Sequence, residues 1–218
     1  ATISPDGRFI AYVRRSSVRS SVVVKQLSSN SDVVIMEPVE GAEYYAPSVT
    51  PDGGYVDVLV RRPLDPALVR IPFLGGTPRR IVNGAVSGIG WSPDGRQMAF
   101  VKYDSKTQST TLVVAAPGGQ NEKVLATRQA PSFFYMALFS NAPPTRPSWS
   151  ADGRWIAVAG INTSPERPRD NGELIEVDAA TGAVVQDPDD LADEVVVVAK
   201  GRDYGDSPPL RGIFSTAG

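Results

Sequence analysis

Four times in one chain an aspartate is followed directly by a glycine: Asp6-Gly7, Asp52-Gly53, Asp94-Gly95 and Asp152-Gly153. A repeated carboxylate can do two kinds of chemistry. Set around a common centre, it can bind a cation. Set in a chain reversal, it bonds back to its own backbone and fixes a turn. The flanking residues favour the turn, reading "SPDG" from Ser4, "TPDG" from Thr50, "SPDG" from Ser92 and "SADG" from Ser150. Proline presets φ for the first central position, aspartate tolerates the second, and glycine supplies a position of positive φ. Ala151 loosens the fourth copy but leaves its Asp152-Gly153 pair intact.

The remaining polar residues offer little catalytic chemistry. The chain has no His and no Cys. That excludes a Ser-His-Asp arrangement, a cysteine nucleophile, a thiolate zinc site and a disulfide framework. Serines and threonines are plentiful, but no G-x-S-x-G elbow is present and nothing pairs a serine with a lysine. Acidic residues fall mainly in turns rather than as a pair across a cleft. Gly75-Gly76 and Gly118-Gly119 lead from strand to strand, so no helix dipole would assist an anion there. "VDAATGAV" (Val177–Val184) partly matches the repeats of quinone-binding propellers, but it occurs once and lacks their Trp. Asp187, Asp189, Asp190, Asp193 and Glu194 cluster near the end, without the central Gly and closing Glu of an EF-hand. No catalytic residue, metal ligand or cofactor is therefore expected.

Bulk properties narrow the partners. A net charge of -2 gives no general attraction to nucleic acid. No apolar run approaches the roughly 20 residues that span a bilayer, so no membrane insertion is expected. Absence of Cys fits the cytoplasm and the periplasm equally. The chain opens at Ala1 inside a motif and reads as a piece of a longer or processed protein.

The elements that position these residues are short strands. The corners are spaced 46, 42 and 58 residues apart, close to one four-stranded propeller blade per step with an insertion in the last. After each corner comes a β-branched or aromatic run: Phe9–Val13, Tyr55–Val60, Gln97–Val101 and Trp155–Ala159. A second run follows each (Ser21–Leu27, Ala67–Phe73, Thr111–Pro117, Glu173–Asp178), then a turn, then a third (Val33–Met36, Arg79–Val82, Lys123–Leu125, Ala183–Val185). "APSV", "SGIGW" and "RPSW", just before the corners, supply the first strand of each later unit. The expectation is an all-β chain: a β-propeller with about four visible four-stranded blades over residues 1–186, part of a larger ring or parent chain. Residues 187–218 read as an acidic linker, a possible closing strand and a loop tail.

The pattern W-S-P-D-G-x-x-[IM]-A-[FY], followed by an apolar strand, resembles the WD40-like β-propeller repeat of the TolB C-terminal domain. The resemblance covers roughly residues 3–186 and is specific for fold, not function. It implies about six blades in a full ring, whereas four are visible here. Repeats of this type also occur in prolyl-oligopeptidase-like peptidases, in bacterial kinases and behind DNA-binding response-regulator domains.

Candidate partner-binding residues follow from exposed aromatics and arginines. The stretch Arg128–Pro147 carries Phe133, Phe134, Tyr135, Met136 and Phe139 between prolines and reads as a loop joining two blades. Tyr44 and Tyr45 sit in the equivalent connection one turn of the repeat away from it. Arg14-Arg15 and Arg61-Arg62 end the same strand in consecutive blades and would share one rim; Arg15 and Arg62 are the candidates there for an acidic partner. The leading expectation is a noncatalytic module that binds a protein or peptide, a scaffold or sensor part of a bacterial signalling or envelope protein, periplasmic or cytoplasmic. The alternatives are the gating propeller of a serine peptidase, and a propeller that binds a small ligand or sugar.

Overall fold

The computed structural model describes residues 1–16, 19–62, 65–136, 145–163 and 172–185. Every regular element among them is a strand. Blade 1 is β1 (Thr2–Ile3), β2 (Phe9–Arg15), β3 (Ser20–Gln26) and β4 (Asp32–Met36). Blade 2 is β5 (Glu43–Val49), β6 (Tyr55–Arg61), β7 (Ala67–Pro72) and β8 (Arg79–Asn83). Blade 3 is β9 (Gly90–Trp91), β10 (Met98–Asp104), β11 (Ser109–Ala115) and β12 (Lys123–Gln129). Blade 4 is β13 (Ser132–Phe134), β14 (Ser148–Trp149), β15 (Trp155–Asn162), β16 (Gly172–Asp178) and β17 (Val184–Val185). The first three sheets are antiparallel meanders of consecutive hairpins, and in the fourth both β13 and β14 pair with β15. The four sheets are arranged as a propeller.

The corners close the first hairpin of every blade in the same way. In blade 3 the Gly95 N–H donates to the Ser92 carbonyl at 2.9 Å, and Gly95 has φ +68°. The Ser92 hydroxyl donates to Asp94 Oδ1 at 2.6 Å and accepts the Gln97 N–H at 2.9 Å. Asp94 Oδ1 also accepts the Arg96 N–H at 3.0 Å. Ser4–Asp6, Thr50–Asp52 and Ser150–Asp152 repeat the hydroxyl-to-carboxylate bond at 2.6 Å. The carboxylates therefore serve as turn acceptors, and the alanine in the fourth copy changes nothing in this network.

Alternation along the strands sends one face of each blade to each neighbour. Val56, Val58 and Val60 of β6 pack against Ala11, Val22, Val24 and Ile35 of blade 1. Leu59, one residue out of phase, packs with Phe100, Met98 and Val113 of blade 3. Phe134, Trp149, Ile156 and Ile175 of blade 4 meet Val101, Leu112 and Val114 of blade 3. Three seams thus join four blades, and among the described residues no core cluster joins blade 4 to blade 1. A register shift recurs between the third and fourth strands, at Val22/Val23, Leu68/Val69 and Leu112/Val113. A bulge at a fixed place adds twist, which lets successive sheets fan apart.

The innermost strand departs from the expected loop. Phe133 and Phe134 do not lie in a connection between blades: they pair with Ile161 and Gly160 as part of blade 4. The inner strand resumes at β14, where Ser148 and Trp149 pair with Ala157 and Ile156. The extra residues therefore interrupt one strand. Blade 2 has its register shift at the equivalent place, between Tyr45 and Ser48. A strand that already bulges there can absorb a longer excursion without losing its pairing on either side.

Candidate functional site

Antiparallel pairing gives the blades two rims, one holding the corners and one holding the hairpins between second and third strands. Arg15 and Arg61 each lie eleven residues beyond the first residue of their corner, at the hairpin rim. Both turn their guanidinium groups onto the ring of Tyr45, at 4.4 Å and 4.7 Å from its centroid. Tyr45 stands on β5 and is buried except for its polar edge. Its hydroxyl donates to Glu43 Oε2 at 3.1 Å and accepts from Arg61 Nη2 at 2.6 Å. Arg61 Nε also donates to Glu43 Oε2, at 2.7 Å.

The electrostatics of this cluster are unequal. Burial works against the Glu43 carboxylate, and the bonds and charge of Arg61 outweigh it, so the pKa falls below the usual Glu value. Burial raises the Tyr45 phenol and keeps it neutral. Arg61 is thereby matched by Glu43. Arg15 is exposed and, among the described residues, makes no ion pair. A planar guanidinium laid on an aromatic face keeps its edge free for bidentate bonds to a carboxylate. Arg62 acts elsewhere, its charge bearing on Tyr44 and Asp65. Its Nε is buried, with no hydrogen-bond acceptor among the described residues.

Other expected residues divide between rim and core. Tyr44 is fully buried; its hydroxyl donates to the Glu37 carbonyl at 2.9 Å and its N–H to Ser20 Oγ at 3.1 Å. Phe134 is also fully buried, and its N–H donates to Thr110 Oγ1 at 2.8 Å. These two residues repeat one stitch between adjacent blades. Phe133 is half-buried against the core between blades 3 and 4, and Tyr135 is buried. Phe139 and the acidic stretch after Val185 lie outside the described residues. The structure thus brings Arg15 and Tyr45 together, leaves Arg62 acting on Tyr44 and Asp65 instead, and sets Phe133, Phe134 and Tyr135 two blades away from Tyr45.

The sequence pattern placed Arg61 on the shared rim but singled out Arg62, and gave no sign of Glu43, Arg146 or one buried pair. Counting from the corners would have matched Arg61, not Arg62, to Arg15. Arg146 sits where the inner-strand breaks of blades 2, 3 and 4 converge. Its Nη2 donates to the Pro47 carbonyl at 3.3 Å, and the Gly88 N–H donates to the Thr145 carbonyl at 3.0 Å. Burial lowers the Arg146 pKa. The buried pair is Asp57 and Arg70, opposite each other on β6 and β7, bonded at 2.7 Å (Nε to Oδ1) and 2.8 Å (Nη2 to Oδ2). Burial opposes the charge on Arg70, and the bonds and charge of Asp57 overcome it, leaving its pKa raised. Among the described residues no three His, Cys, Asp or Glu side chains gather as a metal site. No helix there is long and apolar enough to cross a membrane.

The repeat geometry has counterparts among known proteins. The model of the lipoprotein LpqB beta-propeller domain matches residues 78–198, just over half of the chain. This chain belongs to the LpqB beta-propeller domain family. Among solved structures, TolB from Acinetobacter baumannii superposes with a TM-score of 0.61 at 22% identity, over 85% of this chain and 42% of TolB. An oligogalacturonate lyase in complex with manganese gives 0.61 at 15% identity, over 85% and 51%. A chain of a nidogen/laminin complex gives 0.59 at 12% identity, over 85% and 63%. At such identities the likeness is one of fold. The family member described here spans between 42% and 63% of the length of these three structures. No curated protein matches the chain.

Proposed function

We propose that this LpqB-type propeller is a noncatalytic protein-binding module of a bacterial envelope protein, and that the hairpin rim of blades 1 and 2 receives an acidic segment of the partner. One observation carries the reading: Tyr45 supports two guanidinium groups, Glu43 bonds Arg61 and acts on Arg15 only through its charge, and Arg15 is left facing solvent. A rigid aromatic platform under an unmatched arginine suits carboxylate recognition, since little side-chain entropy remains to be lost. The family's lipoprotein description and the likeness to TolB support the envelope setting.

Fluorescence anisotropy with a labelled hexaglutamate peptide tests the proposal. Binding is expected to weaken with added salt and to fall about tenfold or more in Arg15→Glu, the cost of placing like charges together. Binding that is absent in the unsubstituted protein, or unchanged in Arg15→Glu, would overturn the acidic-partner reading.

A further inference from the structure

The opposite rim breaks the repeat at one place. Between blades 2 and 3 the corners touch: a Cβ built on Gly95 would lie 2.9 Å from Pro51 Cβ. The outer hairpins close the same seam, since a Cβ on Gly119 would lie 2.1 Å from the Ile81 carbonyl oxygen. Between blades 3 and 4 the hairpin of Gly182 packs as tightly on Leu125, again at 2.1 Å. Blades 1 and 2 do neither. Gly53 has nothing within 4 Å, and the nearest neighbours of Gly76 are atoms of its own Pro72. The two corners stand apart and leave a wedge of about 570 Å³, within the size range of ligand clefts.

The lining of the wedge has a definite character. Phe9 and Phe73 form its apolar floor, their rings edge to face with centroids 5.2 Å apart. Leu74 stands at its lip, 87% exposed. Asp6 and Asp52 flank it from the two corners. Each uses Oδ1 for its turn, and among the described residues no hydrogen bond reaches either Oδ2. Both carboxyls are held below the usual Asp range, first by the corner hydroxyls of Ser4 and Thr50. The sequence adds an asymmetry: Arg8, Arg96 and Arg154 follow three of the corners, whereas Gly54 follows the second. Asp52 thus lacks an arginine directly after its own corner, and the charge that reaches it comes from Arg70 on β7.

We infer that this wedge is a docking groove for an extended protein segment in which a lysine or arginine adjoins a large apolar residue. The apolar side chain would lie on Phe9 and Phe73 under Leu74, and the cation would bond the outward oxygens of Asp6 and Asp52. Charge complementarity selects this occupant over an acidic one. The groove is independent of the hairpin rim, lies at the other end of the blades and takes the opposite charge, so one module could bridge two partners.

Amide NMR spectra of the whole chain, titrated with acetylated and amidated hexapeptides, test the inference. The alternating Lys–Leu peptide is expected to shift Gly7, Gly53, Gly54 and Leu74 and to leave Gly95 and Gly153 in place. Alternating Glu–Leu and Lys–Ser peptides should bind at least about tenfold more weakly. The double variant Asp6→Asn with Asp52→Asn keeps the Oδ1 acceptors of the turns and should lose about tenfold in affinity. Leu74→Ser, at an exposed position that cannot endanger folding, should lose roughly three- to tenfold. Arg15→Glu should leave this binding unchanged, which separates failure here from failure at the hairpin rim. Equal binding of the Glu–Leu peptide, equal shifts at all four corners, or full affinity in the Asn double variant would each overturn it.

Discussion

Removing one partner of the Asp57–Arg70 pair should be far more damaging than removing both. The side chains are 0% and 7% exposed, so solvent screens little of the interaction. Truncating one partner of such a pair costs about 3–5 kcal/mol, because it strands the other charge in an apolar seam, whereas replacing both with apolar groups is near neutral. Both Arg70→Met and Asp57→Leu should fall in this range, since each stranded charge keeps one remaining opposite charge, Arg79 for Asp57 and Asp52 for Arg70. The two singles also differ in pH response. Burial already raises the Asp57 pKa in the intact pair, and without Arg70 only the charge of Arg79 opposes it, so the pKa rises further and the folded state of the variant takes up its proton at higher pH. The stability deficit of Arg70→Met then shrinks as pH falls, by at most about 1.4 kcal/mol per pH unit. A guanidinium cannot shed its proton in this range, so the deficit of Asp57→Leu should not shrink as pH falls. Urea unfolding of the two singles and the double, between pH 8 and pH 5, checks this. Additive effects in the double, or a pH-independent deficit in Arg70→Met, would refute the reasoning.

Further outcomes are expected elsewhere. Ser92→Ala removes the acceptor of the Gln97 N–H and the donor to Asp94, and should lower stability by about 1 kcal/mol in urea unfolding. Gly90→Ala would bring a Cβ within 2.1 Å of the Pro147 carbonyl oxygen, at the seam where Trp149 Nε1 donates to Gly90. It should cost about 2–3 kcal/mol, readable as a lower melting temperature. The corner carboxyls of Asp6, Asp52, Asp94 and Asp152 are all held below the ordinary value, first by their serine or threonine hydroxyls. Depressed pKa values stabilise the fold above the unfolded value of about 3.9, and the gain is lost as pH falls through the folded values. The urea midpoint should therefore drop below about pH 4; a midpoint that holds or rises there would contradict the turn chemistry.

The corner could be read in advance because its chemistry is local: four residues carry proline, aspartate and glycine, and their own hydrogen bonds finish the turn. Strand order followed from it, since short hairpins leave a chain little choice of partner. The fate of the aromatics was not local. Phe133 and Phe134 look like loop residues beside prolines until β15 is in place to pair them, and that pairing spans more than twenty residues. Tyr44 and Tyr45 are adjacent in sequence, yet strand alternation sends one to the seam with blade 1 and the other beneath two arginines. Asp57 and Arg70 were visible as charges in otherwise apolar runs, but their meeting depends on a register that only the turn between β6 and β7 sets.

The same contrast explains where function can reside in this repeat. Corner residues recur because each blade needs them, so recurrence marks structure. Departures mark what one blade does alone. Gly54 where three other corners have arginine, an inner strand interrupted in blade 4, and corners that stand apart between blades 1 and 2 are departures of this kind. Two of the three fall in the wedge beside Phe9 and Phe73. A mutation that restores the repeat there, Gly54→Arg, would supply Asp52 with the cation that Asp94 has in Arg96 at 4.0 Å. It should leave stability within about 0.5 kcal/mol, as expected for a surface site, yet weaken binding of the Lys–Leu peptide. Unchanged peptide binding in that variant would mean that the missing arginine is incidental to the groove.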